Sequence, residues 1–341
     1  MAVIPDLSEL LAVAVPVALP MRVRFRGIDV RETVLFRGPG GWGEFGPFPE
    51  YADAEAARWL AAGLGLAWGS WPEVVRDRVE VNATVPAVPP DRVASVLAGF
   101  DGCRTVKVKV AERGQSVDED VARVAEVRAL LGPSAHIRVD ANAAWSVDQA
   151  RDALTRLAAY DLQYAEQPCP EVAELAELRR LLARDGIDVP IAADESVRRA
   201  QDPVRVAREG AADLVVVKVA PLGGVESALA IVAECGLPAV VSSAIDSSVG
   251  IAAGVALAAA LPELEHACGL GTVGLLAADV AARPLAPVDG AITVADARAV
   301  VGAPELPGLT AHELSGERGD WWLDRLARCH ALLGTSSRTS S

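Results

Sequence analysis

From about residue 79 the chain repeats one unit: a short β-branched or apolar run, an amphipathic helical stretch, then the next run. Strands joined through a helix lie parallel, so this alternation constrains the fold to a parallel sheet covered by helices. The candidate strands are VEVNATVP (79–86), TVKVKV (105–110), HIRVDAN (136–142), LQYAEQP (162–168), IAADES (191–196), DLVVVKVAP (213–221), AVVSSAID (239–246) and HACGLG (266–271). Eight such strands fit a closed (β/α) barrel. The intervening segments carry helix starts, because Ser116-Val-Asp-Glu119 and Ser146-Val-Asp-Gln149 both have capping-box spacing. EVAELAELRRLLAR repeats its apolar positions at helical intervals. The apolar run 249–261 is shorter than the roughly 20 residues that cross a bilayer and reads as a buried helix.

Ahead of the barrel, MRVRFRGIDVRETVLF (21–36) alternates as strands do, GPGGWGEFGPFPEY forms a loop, and AEAARWLAAGLGLAW reads as a helix. Residues 285–333 return to short strand-like and helical pieces, too few to fold alone, and are expected to pack back on that first unit. The fold class is therefore α/β. It is a modified (β/α) TIM-type barrel over 91–284, with an α+β capping domain formed by residues 1–90 and the return 285–333, and a disordered tail over 334–341. A formal net charge of −14 argues against nucleic acid and against an anionic membrane as partners. The first twenty residues lack a basic n-region and include Asp6 and Glu9, so a cytoplasmic location is expected. Five cysteines, scattered without a CxxC pair, read as reduced thiols.

Charged or polar residues interrupt five successive runs at or near their carboxyl ends: Lys107 and Lys109, Asp140 and Asn142, Glu166, Asp194 and Glu195, and Lys218. Those ends line the active face of a (β/α) barrel, so residues far apart in sequence should converge there. Asp140, Glu166 and Asp194 on three consecutive strands would repel one another unless a cation sat among them. Oxygen ligands with no His or Cys nearby point to Mg²⁺, with Mn²⁺ able to substitute. Flanking lysines, Lys109 on one side and Lys218 on the other, would have their pKa lowered by the cation, and a lysine brought from about 10.4 towards 7–8 is a usable general base. Taken singly, KVK is more often a solvated strand face, and DAN or EQP a turn or helix cap. Their order along the chain is what favours a site. Glu195, next to Asp194 and facing the other way, is open to either a structural or a neighbouring role.

At these residues the chain resembles the enolase superfamily, in the muconate-lactonizing-enzyme-like branch with lysines at the ends of the second and sixth barrel strands. The matching residues are Lys107-Val-Lys109, Asp140 in VDAN, Glu166 in EQP, Asp194 in ADES and Lys218 in VVKVAPLGG. The resemblance implies Lys109 as base, Lys107 as a neighbour of the site, and Asp140, Glu166 and Asp194 as metal ligands; a lysine or histidine base working with magnesium is the known pattern of such sites. Through LPMRVRFRGI, GWGEFGPFPEY, NATVPAV, TVKVKVAE, SSAIDSSVGIAAG and HACGLGT the chain is similar, more narrowly, to the bacterial o-succinylbenzoate synthase family. That implies a small carboxylate substrate, dehydrated through an enediolate in menaquinone biosynthesis.

Alternatives remain at this point. The same lysines, alternating as base and acid, would serve an N-succinylamino acid racemase or dipeptide epimerase, and a non-catalytic anion-binding barrel is a more remote reading. GLGTVG (269–274) resembles a phosphate loop, although glycines there more often permit tight packing. Specificity is expected in the cap loops 22–27 and 46–51, with Arg24 and Arg26 as candidates for a succinyl carboxylate and Ser242 and Ser243 as further candidate contacts. Oligomeric state is left open.

Overall fold

The barrel strands are buried on both faces, as β-branched runs between a packed interior and an outer helical layer must be. The computed structural model describes residues 4–198 and 202–336. Three antiparallel strands open the chain: β1 (Val15–Phe25), β2 (Ile28–Gly38) and β3 (Gly41–Phe45), with helix Asp53–Ala67 laid on β3. After β4 (Arg78–Glu80) comes the parallel sheet: β5 (Ala83–Val85), β6 (Thr105–Lys109), β7 (His136–Asp140), β8 (Leu162–Glu166), β9 (Ile191–Ala193), β10 (Leu214–Val217) and β11 (Ala239–Val241), hydrogen-bonded in sequence order. Ser116 and Ser146 close the capping boxes that their spacing predicts. Helix Ser248–Ala260, capped by Ser247, is buried along nearly its whole length.

Three strand expectations are corrected. Within the segment read as a loop, Gly41–Phe45 forms β3 and pairs antiparallel with β2, a partner the local Gly and Pro content does not reveal. The run 79–86 divides: Ala83–Val85 joins the barrel, whereas Arg78–Glu80 pairs antiparallel with β12 (Ala291–Thr293). The run 266–271 forms no extended strand, only isolated bridges Val81↔Cys268 and Ser242↔Gly269. Those bridges still complete the ring, because Asn82 N donates to Cys268 O at 2.9 Å and Gly269 N to Val241 O at 2.8 Å. Several runs also stop earlier than their apolar pattern, and left-handed backbone at Ala111, Asn142, Ala143, Gln167 and Ile245 marks where the chain turns off the strands.

The C-terminal return lies on the cap. Leu314 N donates to Pro16 O at 2.8 Å, Arg318 and Trp322 both donate to Glu32, and helix Glu317–Ser336 packs against helix Asp53–Ala67. Disorder expected from Gly334 is corrected for 334–336, which continue that helix by propagation from its anchored turns; residues 337–341 lie outside the described residues. All five cysteines are free and buried. Among the described residues no helix is long and apolar enough to cross a membrane.

Candidate active site

The parallel register brings the charged residues together. Lys109 is paired with Asp140 and Asp140 with Glu166 across β6, β7 and β8, while Glu166 pairs with Ala192, two residues before Asp194. Period two therefore aims all three carboxylates into the barrel mouth, and each is 1% exposed. Lys107 Nζ lies 3.1 Å from Glu166 Oε1 and 3.2 Å from Asp140 Oδ2. Lys109 Nζ sits 2.5 Å from Asp140 Oδ2 and 2.6 Å from Asn142 Oδ1. Across the mouth, Lys218 Nζ is 2.5 Å from Asp194 Oδ2. Three lysine Nζ atoms thus stand on three carboxylates that water does not screen.

Their titration follows from these neighbours. Burial pushes Glu166 up, Asp140's charge adds to it, and the carboxyl reaches about 7. Burial acts the same way on Asp140 and Asp194, but Lys109 and Lys107 outweigh it at the first, and Lys218 and Arg198 at the second. Asp140 is therefore held well below the usual carboxylate range and Asp194 at about 2. Burial pulls Lys109 below the ordinary lysine value despite Asp140. The same burial at Lys107 is overcome by Glu166 and Asp140, which hold it well above that value.

Asn142, Ser242, Ser243 and Arg26 also line the mouth. Asn142 N donates to Asp140 Oδ1 at 3.0 Å and its Nδ2 to Glu195 Oε1 at 3.4 Å, which gives Glu195 a neighbouring position. Ser243 Oγ donates to Gly269 O at 2.7 Å. Arg26 occupies the Arg26-Gly27 turn between β1 and β2, where φ values of 52° and 77° swing it off the strand. Its guanidinium lies 4.0 Å from the Phe48 ring centroid and donates to Tyr51 Oη at 2.6 Å. Arg24 is not brought to the mouth: it remains on the strand face, 68% exposed and 3.7 Å from Asp29.

Four mouth residues were not legible from strand patterning: Arg198, Thr84, Phe25 and Trp59. Arg198 Nε donates to Asp194 Oδ1 at 3.0 Å and its Nη1 to Tyr51 Oη at 3.2 Å, joining the barrel to the cap. Thr84, 1% exposed, carries a buried hydroxyl without a protein partner, a signal available only in three dimensions. Phe25 places its ring centroid 5.3 Å from Lys109 Nζ.

As placed, no three Asp, Glu, His or Cys side chains among the described residues stand close enough together to ligate one ion. The donor set nevertheless fits a hard divalent cation, being three buried carboxylates, of which Glu166 is raised by burial first and by Asp140's charge second. Lysine Nζ atoms stand on the oxygens that such an ion would use.

Residues 92–312 match the family described as Enolase C-terminal domain-like, and residues 16–67 the one described as Enolase N-terminal domain-like. The chain is 56% identical over 333 residues to an o-succinylbenzoate synthase of Mycobacterium ulcerans, covering 97% of each. It is 55% identical to an o-succinylbenzoate synthase of Mycolicibacterium smegmatis, covering 97% of this chain and 99% of that one. Among solved structures, a muconate lactonizing enzyme from Pseudomonas fluorescens complexed with muconolactone superposes with a TM-score of 0.69 at 23% identity, over 91% of this chain and 97% of that one. This last likeness is one of fold.

Proposed function

The chain belongs to the enolase superfamily, within its o-succinylbenzoate synthase family, and from that premise we propose how its barrel mouth works. It is a lyase that removes water from 2-succinyl-6-hydroxy-2,4-cyclohexadiene-1-carboxylate to give o-succinylbenzoate, a step of menaquinone biosynthesis. The observation that carries the reading is the placement of Lys109 on Asp140 and Lys218 on Asp194, on two sides of the buried carboxylates.

Asp140, Glu166 and Asp194 would hold Mg²⁺, which when bound supplies Lewis-acid stabilisation of the negative charge that develops on the substrate carboxylate. Lys109 Nζ, drawn down by burial, accepts the ring proton α to that carboxylate. The resulting ammonium returns the same proton to the departing hydroxyl on the same face, so water leaves and the ring becomes aromatic. Lys218 stays cationic on the other face and offsets negative charge on the enediolate, where the ring also offers a cation–π contact. Lys107, held charged by Glu166 and Asp140, cannot take up a proton and instead fixes those two side chains. Arg26 pairs with the succinyl carboxylate, a reading supported by its position at the mouth, over the Phe48 ring. The acidic chain, with five free thiols, works in the cytoplasm.

A direct assay tests this reading: the cyclohexadiene substrate beside an N-succinyl amino acid, with Mg²⁺ and with excess chelator. Dehydration in Mg²⁺ and its loss in chelator is the expected result. Full activity in chelator would overturn the metal, and racemisation without dehydration would overturn the substrate. Lysines on two sides of one site also suit alternating base and acid on an α-carbon, which is why the racemase assay belongs in the same experiment.

A further inference from the structure

Gln167 follows Glu166 in the EQP run and takes no part in the chemistry above. It is 0% exposed, and its φ of 38° lies in the left-handed region, a strained conformation that a non-glycine residue keeps only where its surroundings impose it. Its backbone N–H donates to Ala192 O at 2.8 Å, two residues before Asp194. Its carbonyl accepts from Ala143 N at 2.7 Å, in the turn that follows Asp140. Its side-chain Oε1 accepts from Asp194 N at 2.9 Å and Ser196 N at 3.1 Å. Its Nε2 donates to Cys169 O at 2.9 Å and Ser196 Oγ at 2.7 Å. The amide's full capacity of two accepted and two donated bonds is used.

One residue is therefore bonded to the segments that carry all three carboxylates. We propose that Gln167 is a positioning residue, a clamp across the ends of β7, β8 and β9 that fixes the spacing of Asp140, Glu166 and Asp194 and so sets their affinity for a divalent cation. The proposal rests on the reading that these three residues hold the metal. Because the clamp acts through backbone N–H groups of the Asp194 turn, its loss lets that carboxylate shift without changing the charge of the site. A residue that merely stabilised the fold would lower the melting temperature and leave the folded protein's metal affinity alone.

The test is titration of the full chain with Mn²⁺ alone, free ion read by electron paramagnetic resonance, at a temperature well below the unfolding of every variant. Gln167→Met keeps the side chain's length and deletes its four bonds, and should weaken Mn²⁺ binding about 10–100-fold, the usual effect of removing an outer-shell partner. Ser196→Ala deletes one of the four and should weaken it about fivefold. Wild-type affinity in folded Gln167→Met overturns the clamp. Should that variant fail to fold, Ser196→Ala decides by the same criterion. Asp194→Asn separates the two levels: unchanged Mn²⁺ affinity there overturns the metal reading, and the clamp with it.

Discussion

Removing the Lys109 side chain takes away the proposed proton acceptor and also frees Asp140 Oδ2 from a 2.5 Å contact. Lys109→Ala should therefore lower kcat/KM for dehydration by about 10²–10⁴-fold with the fold intact, and loss of less than tenfold would place the base elsewhere. Lys218→Arg asks a different question, since arginine keeps the cation yet is a poor base. With an N-succinyl amino acid in D₂O, this variant should exchange the α-hydrogen of one enantiomer through Lys109, fail to racemise, and retain part of its dehydration. Equal loss of dehydration and of exchange in both enantiomers, with metal bound, would sink the assignment of the two lysines. That these side chains meet at one barrel mouth was legible in the sequence, because a charged residue interrupting an apolar run at a strand end stands out. Environment then separates Lys109 from Lys107, which the K-x-K spacing alone cannot do: one is lowered by burial, the other raised by two carboxylates. Arg198 and Gln167 were not legible, since each acts through contacts between loops that no local pattern encodes.

Strand centres and helix starts follow from period and capping, which are local, so β6, β7, β8 and β10 lie inside their predicted runs. Strand ends depend on neighbours. The last strand of the ring shrinks to bridges at Cys268 and Gly269 because only those two residues meet Val81 and Ser242. The division of 79–86 is likewise dictated by β12, more than two hundred residues away in the chain. Packing between elements is equally hidden, as helix Asp53–Ala67 shows. A Cβ at its Gly63 would lie 2.5 Å from Glu44 O and 2.8 Å from the Phe36 ring. Gly63→Ala should destabilise the cap by about 1–3 kcal/mol, the usual effect of overpacking. Chemical denaturation checks this, with Mn²⁺ affinity as the control; a variant as stable as the wild type would mean that β3 and the helix separate easily.

The two halves of the molecule meet at a buried charged junction, and the pH response of the whole chain should pass through it. Arg31, on β2, donates to Ile245 O at 3.0 Å and to Gly46 O. Glu44, on β3, accepts from Ser247 Oγ at 2.6 Å and from Gly250 N at 2.9 Å, at the start of helix Ser248–Ala260. Burial first and Asp246's charge second push Glu44 from 4.5 up to about 7, with Arg31 pulling the other way. The folded chain thus holds this proton more tightly than the unfolded one. Its contribution to stability is fully present below about 4.5 and is lost as pH rises through about 7. The loss is on the order of 3 kcal/mol at about 1.4 kcal/mol per pH unit. Glu44→Gln cannot titrate, so the stability of wild type relative to the variant should decline across pH 5–8 by that order. Urea unfolding of both proteins in chelator, which removes the contribution of metal binding at Glu166, measures the difference directly. Parallel profiles would show that the proton on Glu44 does not couple the cap to the barrel, and would leave Asp246 to be tested as the titrating member of the junction.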